Sequence, residues 1–323
     1  MQAAFTNTYG SPAVLQLREA PAPALPDDHV LVQVRSAAVT AGDLRMRAAD
    51  FPSITAVPGR LMVGIFSPRK PVQGSMFAGR VVRVGKAVTR FTVGDDVFGA
   101  SLSGAYAELL AMPQGGALAK MPEGIGYDEA AATPYGAVTA LTFLRDLGEL
   151  QPGQKLLIIG AAGGVGRFAV QIGKHLGAEI TAVCRPRSFE LVRSLGADHV
   201  IDRDAGDLVL EAARYDVIFD CVGALSFSRA RHALTQRGTY LTLLVDANVL
   251  FWMAATALGG GQRARTGVAA DDARAIEEVR DLLGRGVIRP VVAETFPLER
   301  IAEAHTFAET HRDRGVAMVT PVA

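Results

Sequence analysis

The sequence predicts an α/β protein in two parts: a doubly wound parallel sheet and a second, mainly β lobe. Three observations predict it. An unbroken apolar run, Lys155-Leu156-Leu157-Ile158-Ile159, leads into glycines and then a helix-spaced segment, which is the order of a βα unit whose strand is covered on both faces. Strand-like and helix-like segments then alternate as far as Leu243, the rhythm of a doubly wound sheet. The first third instead carries short strands punctuated by Gly and Pro, with little helical periodicity, and so reads as a barrel-like β lobe.

Taken in order, Val30–Val34 has strand composition, and Gly79–Gly85 alternates apolar with polar until glycine stops it. Val93–Gly99 reads as a turn feeding another strand. Thr133–Leu147, rich in Ala, Leu and Thr, reads as a helix opening the second domain. After the Lys155–Ile159 strand, Phe168–Leu176 has helical spacing and stops at Gly177. Strands are expected at Ile180–Val183, His199–Ile201, Asp216–Asp220 and Thr239–Leu243, with a helix over Ser188–Leu195. Two helical stretches, Asp271–Leu283 and Leu298–Thr310, and a strand near Val316–Val319 close the chain. A length of 323 residues suits about two domains. The lack of a long polar linker predicts two lobes packed along a cleft.

Composition excludes several classes. Hydrophobic residues at 49% with charged residues at 20% describe a folded globular protein rather than a disordered one. Lys plus Arg and Asp plus Glu both total 33, so no net basic charge points to nucleic acid or an anionic membrane. Any anion site is then local. Cys184 and Cys221 are too few for a disulfide framework or a four-cysteine zinc site. Met1–Thr6 has no basic region leading into an apolar core, and the longest apolar stretch, near Val249–Leu258, is shorter than a bilayer span. The expectation is a cytoplasmic protein with no membrane or nucleic-acid partner.

The stretch Gly160-Ala161-Ala162-Gly163-Gly164-Val165-Gly166 carries the chemistry. Glycine permits the tight turn, and a pyrophosphate reaches a helix N-terminus only where no Cβ intrudes. Gly160, Gly163, Gly164, Val165 and Gly166 are therefore the candidate phosphate cradle. The competing reading, a ligand-free glycine turn, is disfavoured by the strand before and the helix after. An acid at the end of the next strand would bind the ribose hydroxyls of NAD. Here that place reads Val183-Cys184-Arg185-Pro186-Arg187, without a carboxylate. Arg185 and Arg187 would pair with a 2′-phosphate, so NADPH is the expected cofactor; merely solvated arginines are the alternative.

These residues, together with Tyr9-Gly10, Ala38-Val39-Thr40-Ala41-Gly42-Asp43, the Ala78–Gly85 and Phe91–Gly99 runs, Leu195-Gly196-Ala197-Asp198 and Asp216–Asp220, make the chain resemble a family. It is similar to the medium-chain dehydrogenase/reductase superfamily, in its zinc-free quinone oxidoreductase-like branch. The resemblance implies a GroES-like catalytic domain over residues 1–134 completed by 268–323, a Rossmann dinucleotide-binding domain over 135–267, and a homodimer. Zinc-using relatives ligate the metal with a Cys before the Asp43 position and a His in a Gly-His-Glu motif. Here those places read Val39-Thr40-Ala41-Gly42 and Gly74-Ser75-Met76, so no metal is expected.

The resemblance also implies roles. Thr40 stands where relatives often carry a nicotinamide-proximal Asn; its shorter hydroxyl makes it a weaker candidate donor. Asp43 and Arg47 would form a structural ion pair. Thr139 matches a threonine near the nicotinamide, or else bonds its own helix backbone. Tyr135 is a candidate proton donor, or a core tyrosine. Cys184, Val222, Gly223, Leu243 and Leu244 would line the cofactor; Arg203 would reach the 2′-phosphate, and Arg314 would touch the cofactor unless it is a plain surface arginine. Residues 51–71 are a lid or pocket rim, or else a plain surface excursion.

Without a Lewis acid a plain alcohol is hard to ionise at neutral pH. Hydride addition to a quinone or an α,β-unsaturated carbonyl is easier, because hydrogen-bond donors can stabilise the developing oxyanion. The expected function is NADPH-dependent reduction of such an acceptor. A zinc-free carbonyl reductase or alcohol dehydrogenase, and a non-catalytic NADPH-binding sensor or scaffold, are the alternatives.

Overall fold

The computed structural model describes residues 1–206, 208 and 210–321. The chain forms two compact units, one of Met1–Phe51, Val57–Tyr135 and Ala270–Ala323, the other of Pro52–Ala56 and Gly136–Ala269.

The first unit opens with the antiparallel pair β1 (Gln2–Phe5) and β2 (Gln16–Glu19). Strand β3 (His29–Val39) follows, then helices α1 (Ala41–Ala48) and α2 (Ala56–Val63). Next come β4 (Met76–Val84), β5 (Asp96–Ala100), β6 (Leu109–Pro113), β7 (Leu118–Lys120) and helix α3 (Tyr127–Ala132). The long β3 is central, pairing antiparallel with β4 on one side and β6 on the other. Val30, Val32 and Val34 repeat at the strand period and enter one core with Phe77, Val81, Val97 and Leu118. Each such burial stabilises by about 1.5–3 kcal/mol.

Helix α1 lies where the sequence suggested only strands. Its start is a capping box: the Asp43 amide donates to the Thr40 hydroxyl at 3.2 Å, and the Thr40 amide donates to the Asp43 carboxylate at 2.9 Å. That pattern outweighs the weak periodicity of an eight-residue helix.

Helix α4 (Pro134–Leu141) carries the chain into the second unit and continues as π-helix over Thr142–Leu147. There follow β8 (Lys155–Ile159), α5 (Gly164–His175), β9 (Glu179–Cys184), α6 (Phe189–Ser194), β10 (His199–Asp202) and β11 (Tyr215–Asp220). Helix α7 (Phe227–Ala230), β12 (Leu234–Thr242), α8 (Ala247–Thr256) and β13 (Arg263–Arg265) complete it. The six strands run parallel in the order β10-β9-β8-β11-β12-β13. Strand order reverses between β8 and β11, and a sheet of this kind binds ligands just outside the strand C-termini at that point.

The chain then returns to the first unit as α9 (Ala273–Gly284), β14 (Val292–Pro297), α10 (Ile301–Thr310) and β15 (Val316–Thr320). Strand β15 pairs antiparallel with β3 and parallel with β14, so the final strands complete the sheet begun near the N-terminus. No helix among the described residues is long and apolar enough to cross a membrane.

Candidate active site

The glycine turn sits at the switch point. Gly160 has φ +81°, a backbone conformation that other residues rarely adopt, and its amide donates to the Val183 carbonyl at 3.1 Å. The Gly163 amide closes the turn onto the Gly160 carbonyl at 2.9 Å and Gly163 begins α5 without any side-chain cap. The first amides of α5, at Gly164, Val165 and Gly166, are thus left to an external acceptor. A Cβ on Gly164 would meet nothing within 4 Å, whereas one on Gly166 would overlap the Gly160 carbonyl oxygen and stand 2.7 Å from the Ala161 Cα. One glycine keeps the cradle open and the other lets helix and strand approach. Helix α4 closes in at Gly136, where a Cβ would lie 2.5 Å from the Gly164 carbonyl oxygen, and Thr139 follows one turn later, half-buried.

Beside this turn lies the loop after β11, which is organised by a residue that sequence reasoning passed over. Asp220 is buried, and its carboxylate accepts from the amides of Val222 (3.0 Å), Gly223 (2.8 Å) and Leu225 (2.8 Å) and from the Tyr240 hydroxyl (3.3 Å). Gly223 has φ +73°, and a Cβ there would lie 3.0 Å from the Leu244 side chain. Leu243 donates its amide to the Asp220 carbonyl at 3.2 Å. Val222, Gly223, Leu243 and Leu244 are therefore brought together, next to Gly160, whose Cβ would meet Val222 at 2.7 Å. A carboxylate at the end of an apolar strand was the signal available in the sequence.

At the C-terminal ends of β9 and β10, Cys184 is buried, Arg185 half-buried, and Arg187 and Arg203 exposed. Arg203 donates its amide to the Cys184 carbonyl at 2.9 Å. Asp204, also unremarked from sequence, joins two of these arginines: one carboxylate oxygen lies 3.5 Å from Arg185 Nε, the other 3.2 Å from Arg203 Nε. The cluster is cationic but partly neutralised from within. Cys221 is half-buried, and burial pushes its thiol well above the usual range, so it stays a neutral thiol. Arg314 is exposed on the turn before β15 in the first unit.

Three donors, two hydroxyls and one amide, converge on Asp43 in the first unit. The Thr40 hydroxyl donates at 2.6 Å, the Ser75 hydroxyl at 2.8 Å and the Thr40 amide at 2.9 Å or so by the cap already described. The Thr40 hydroxyl proton is thereby committed to Asp43. Burial raises the Asp43 pKa, and its hydrogen bonds pull it back. The ion pair expected between Asp43 and Arg47 is not formed. Arg47 instead pairs with Glu309 at 2.5 Å, donates to the Gly10 carbonyl at 3.0 Å, and lies 3.3 Å from His305 Nδ1. His305 and Glu309 come from α10, far along the chain. Tyr135 is half-buried with its ring edge beside Gly42, and burial holds its phenol above the ordinary pKa, so it keeps its proton at neutral pH.

No group of three or more His, Cys, Asp or Glu among the described residues could hold a metal ion. The Ser75 and Thr40 hydroxyls are both spent on Asp43.

Comparison with known proteins agrees with this architecture. The model of the alcohol dehydrogenase GroES-like domain matches residues 26–123, and that of a zinc-binding dehydrogenase matches residues 195–316. A mouse mitochondrial NAD(P)H oxidoreductase, RTN4IP1, is 30% identical over 91% of this chain and 82% of its own. The chain belongs to the medium-chain dehydrogenase/reductase superfamily. It is an oxidoreductase of that superfamily. Another relative, the chloroplastic NADPH-dependent alkenal/one oxidoreductase of Arabidopsis thaliana, is 29% identical over 100% of this chain and 80% of its own. Among solved structures, the quinone oxidoreductase of Coxiella burnetii superposes with a TM-score of 0.85 at 23% identity, over 99% of both chains, and so shares the superfamily fold.

Proposed function

We propose that the protein is an NADPH-dependent, zinc-independent oxidoreductase that reduces a quinone or an α,β-unsaturated carbonyl. The observation that carries the reading is the uncapped, glycine-lined N-terminus of α5 at the sheet's switch point, flanked by an arginine cluster. The named cofactors and acceptors of the relatives support it.

Gly164, Val165 and Gly166 would hold the pyrophosphate by their amides, and Arg185, Arg187 and Arg203 the 2′-phosphate. Backbone at Val222–Gly223 and Leu243–Leu244, braced by Asp220, would line the ribose and nicotinamide. When bound, the reduced nicotinamide supplies a hydride. Negative charge then develops on the acceptor oxygen, and Tyr135 is the proposed proton donor because burial keeps its phenol protonated. Thr40 acts as the cap and hydrogen-bond partner of Asp43 rather than as that donor. Tyr135→Phe keeps the ring and removes the proton; kcat is expected to fall by roughly a hundred-fold with NADPH affinity unchanged. Unaltered kcat would move proton donation to Thr139 or to water.

Selectivity for NADPH should reside in the arginines. Arg185→Ala with Arg187→Ala should weaken NADPH by about ten-fold or more and NADH little. Asp204→Asn should act in the opposite sense, because its carboxylate neutralises Arg185 and Arg203. Titration of both nucleotides by calorimetry reads both effects, and equal changes for NADPH and NADH would refute the assignment.

A homodimer is part of the proposal. Strand β13 ends the sheet, paired only with β12, and α8 beside it exposes Leu250 and Phe251. A cytoplasmic setting is proposed as well. The deciding experiment is initial-rate oxidation of NADPH and NADH, with EDTA present, against quinones, enones and aldehydes. Turnover of NADPH with quinones or enones is expected. Binding without turnover on any acceptor would favour a sensor, and turnover on aldehydes alone a carbonyl reductase.

A further inference from the structure

Residues 51–71, between α1 and β4, are given no role in that chemistry, and their surface is unusual. Helix α2 buries none of its side chains. Its apolar residues instead face out: Val57 is 69% exposed, Leu61 51%, Met62 65%, and the turn that follows adds Ile65 at 49% and Phe66 at 92%. Val57 and Leu61 stand one turn apart on the same face of α2, and Met62 adjoins them.

The patch is held rigidly from behind. Gly59 lies against the Phe51 ring, to which a Cβ would come within 2.5 Å. Arg60 stacks over the Tyr9 ring at 5.1 Å, and the Tyr9 hydroxyl donates to the Gly64 carbonyl at 2.7 Å. Gly64, at φ +126°, starts the turn, and the Arg69 amide closes it onto the Val63 carbonyl at 2.8 Å. Phe66 stands at the tip of this closed turn, where a loosely held loop would instead fold its phenyl ring inward.

Charge names the occupant. The chain as a whole is neutral, yet no Asp or Glu occurs between Phe51 and Gly94. Arg60, Arg69 and Lys70 border the patch, all exposed. An apolar face bordered by cations, in a stretch without carboxylates, complements a surface that is oily beneath and anionic above. We infer that α2 and the Gly64–Lys70 turn dock the protein on a bilayer containing anionic phospholipid, with Leu61, Met62 and Phe66 entering the acyl boundary and Arg69 and Lys70 meeting headgroup phosphates. The overall charge balance hides this, because the compensating acids lie elsewhere in the sequence. Such docking would present the protein to acceptors dissolved in the lipid.

Flotation of the full-length protein with vesicles tests it. Vesicles of phosphatidylcholine mixed with phosphatidylglycerol should carry the wild type, and raised salt should release part of it. Leu61→Ser with Phe66→Ser should reduce the bound fraction by about ten-fold or more. Arg69→Gln with Lys70→Gln should remove about five-fold of the preference for anionic vesicles per cation lost. Unchanged circular dichroism melts would show that all variants are folded, as expected for exposed positions. Absence of wild-type flotation, or equal flotation of every variant, overturns the inference. So does a fall in sedimenting mass caused by Leu61→Ser with Phe66→Ser, which would assign the patch to a second copy of the chain.

Discussion

Gly164→Val is expected to leave the fold intact and to lower NADPH affinity by about a hundred-fold or more. The Cβ of this residue would meet nothing within 4 Å, so the isopropyl group grows into open space rather than into protein. That space adjoins the amides at the N-terminus of α5, which have no side-chain cap. A pyrophosphate accepting from them has to come within about 3 Å of the backbone, and valine excludes it. Gly166→Ala fails for a different reason. Its single methyl overlaps the Gly160 carbonyl oxygen, so the turn must open and the helix must shift from β8. This variant should lose about 1–3 kcal/mol of stability as well as nucleotide binding. Calorimetry with NADPH and thermal melts by circular dichroism separate the two. Wild-type NADPH affinity in a folded Gly164→Val protein would place the pyrophosphate away from α5 and remove the basis of the cofactor assignment.

The contrast between these glycines also shows what a sequence can carry. The Gly160–Gly166 spacing and the unalternating β8 run are local signals, and each is dictated by backbone sterics within a few residues. They placed the parallel sheet correctly and put the glycine turn at its switch point. What escaped was set by partners distant in sequence. Asp220 gathers three amides and a hydroxyl only because the chain doubles back after β11. Asp204 meets Arg185 because β9 and β10 are neighbours in the sheet. Arg47 reaches Glu309 and His305 across more than two hundred residues, so the nearer Asp43 was the only partner a local reading could offer. Among the elements that went unseen, β13 has only three residues, and α1 announces itself by its cap rather than by an apolar stripe. Helix α2, in the stretch read as a lid or a surface excursion, exposes its apolar residues.

Acid should destabilise the first unit through His305. This residue is fully buried between Tyr106, whose ring it meets edge-on at 5.5 Å, and Arg47 at 3.3 Å, with Nε2 lacking a hydrogen-bond partner among the described residues. Burial, and then the Arg47 charge, lower its pKa from 6.5 to about 3. Between those values the unfolded chain binds a proton that the folded chain refuses. Stability therefore rises with pH across the window, is fully present above about 6.5, and is lost progressively as pH falls towards 3. The slope is at most ~1.4 kcal/mol per pH unit, that of one proton. Asp43, whose pKa is raised by burial, has the opposite sign: its contribution is present below its unfolded value and lost as pH rises through its folded one. The two therefore oppose each other wherever both titrate. Urea unfolding of the wild type and His305→Gln from pH 7 to 4 isolates it. The variant is expected to be less stable at pH 7, where it loses the packing against Tyr106, and to have a flatter pH dependence by about one proton. Parallel curves would mean that His305 titrates alike in both states, and that the contact with Arg47 opens to water before the unit unfolds.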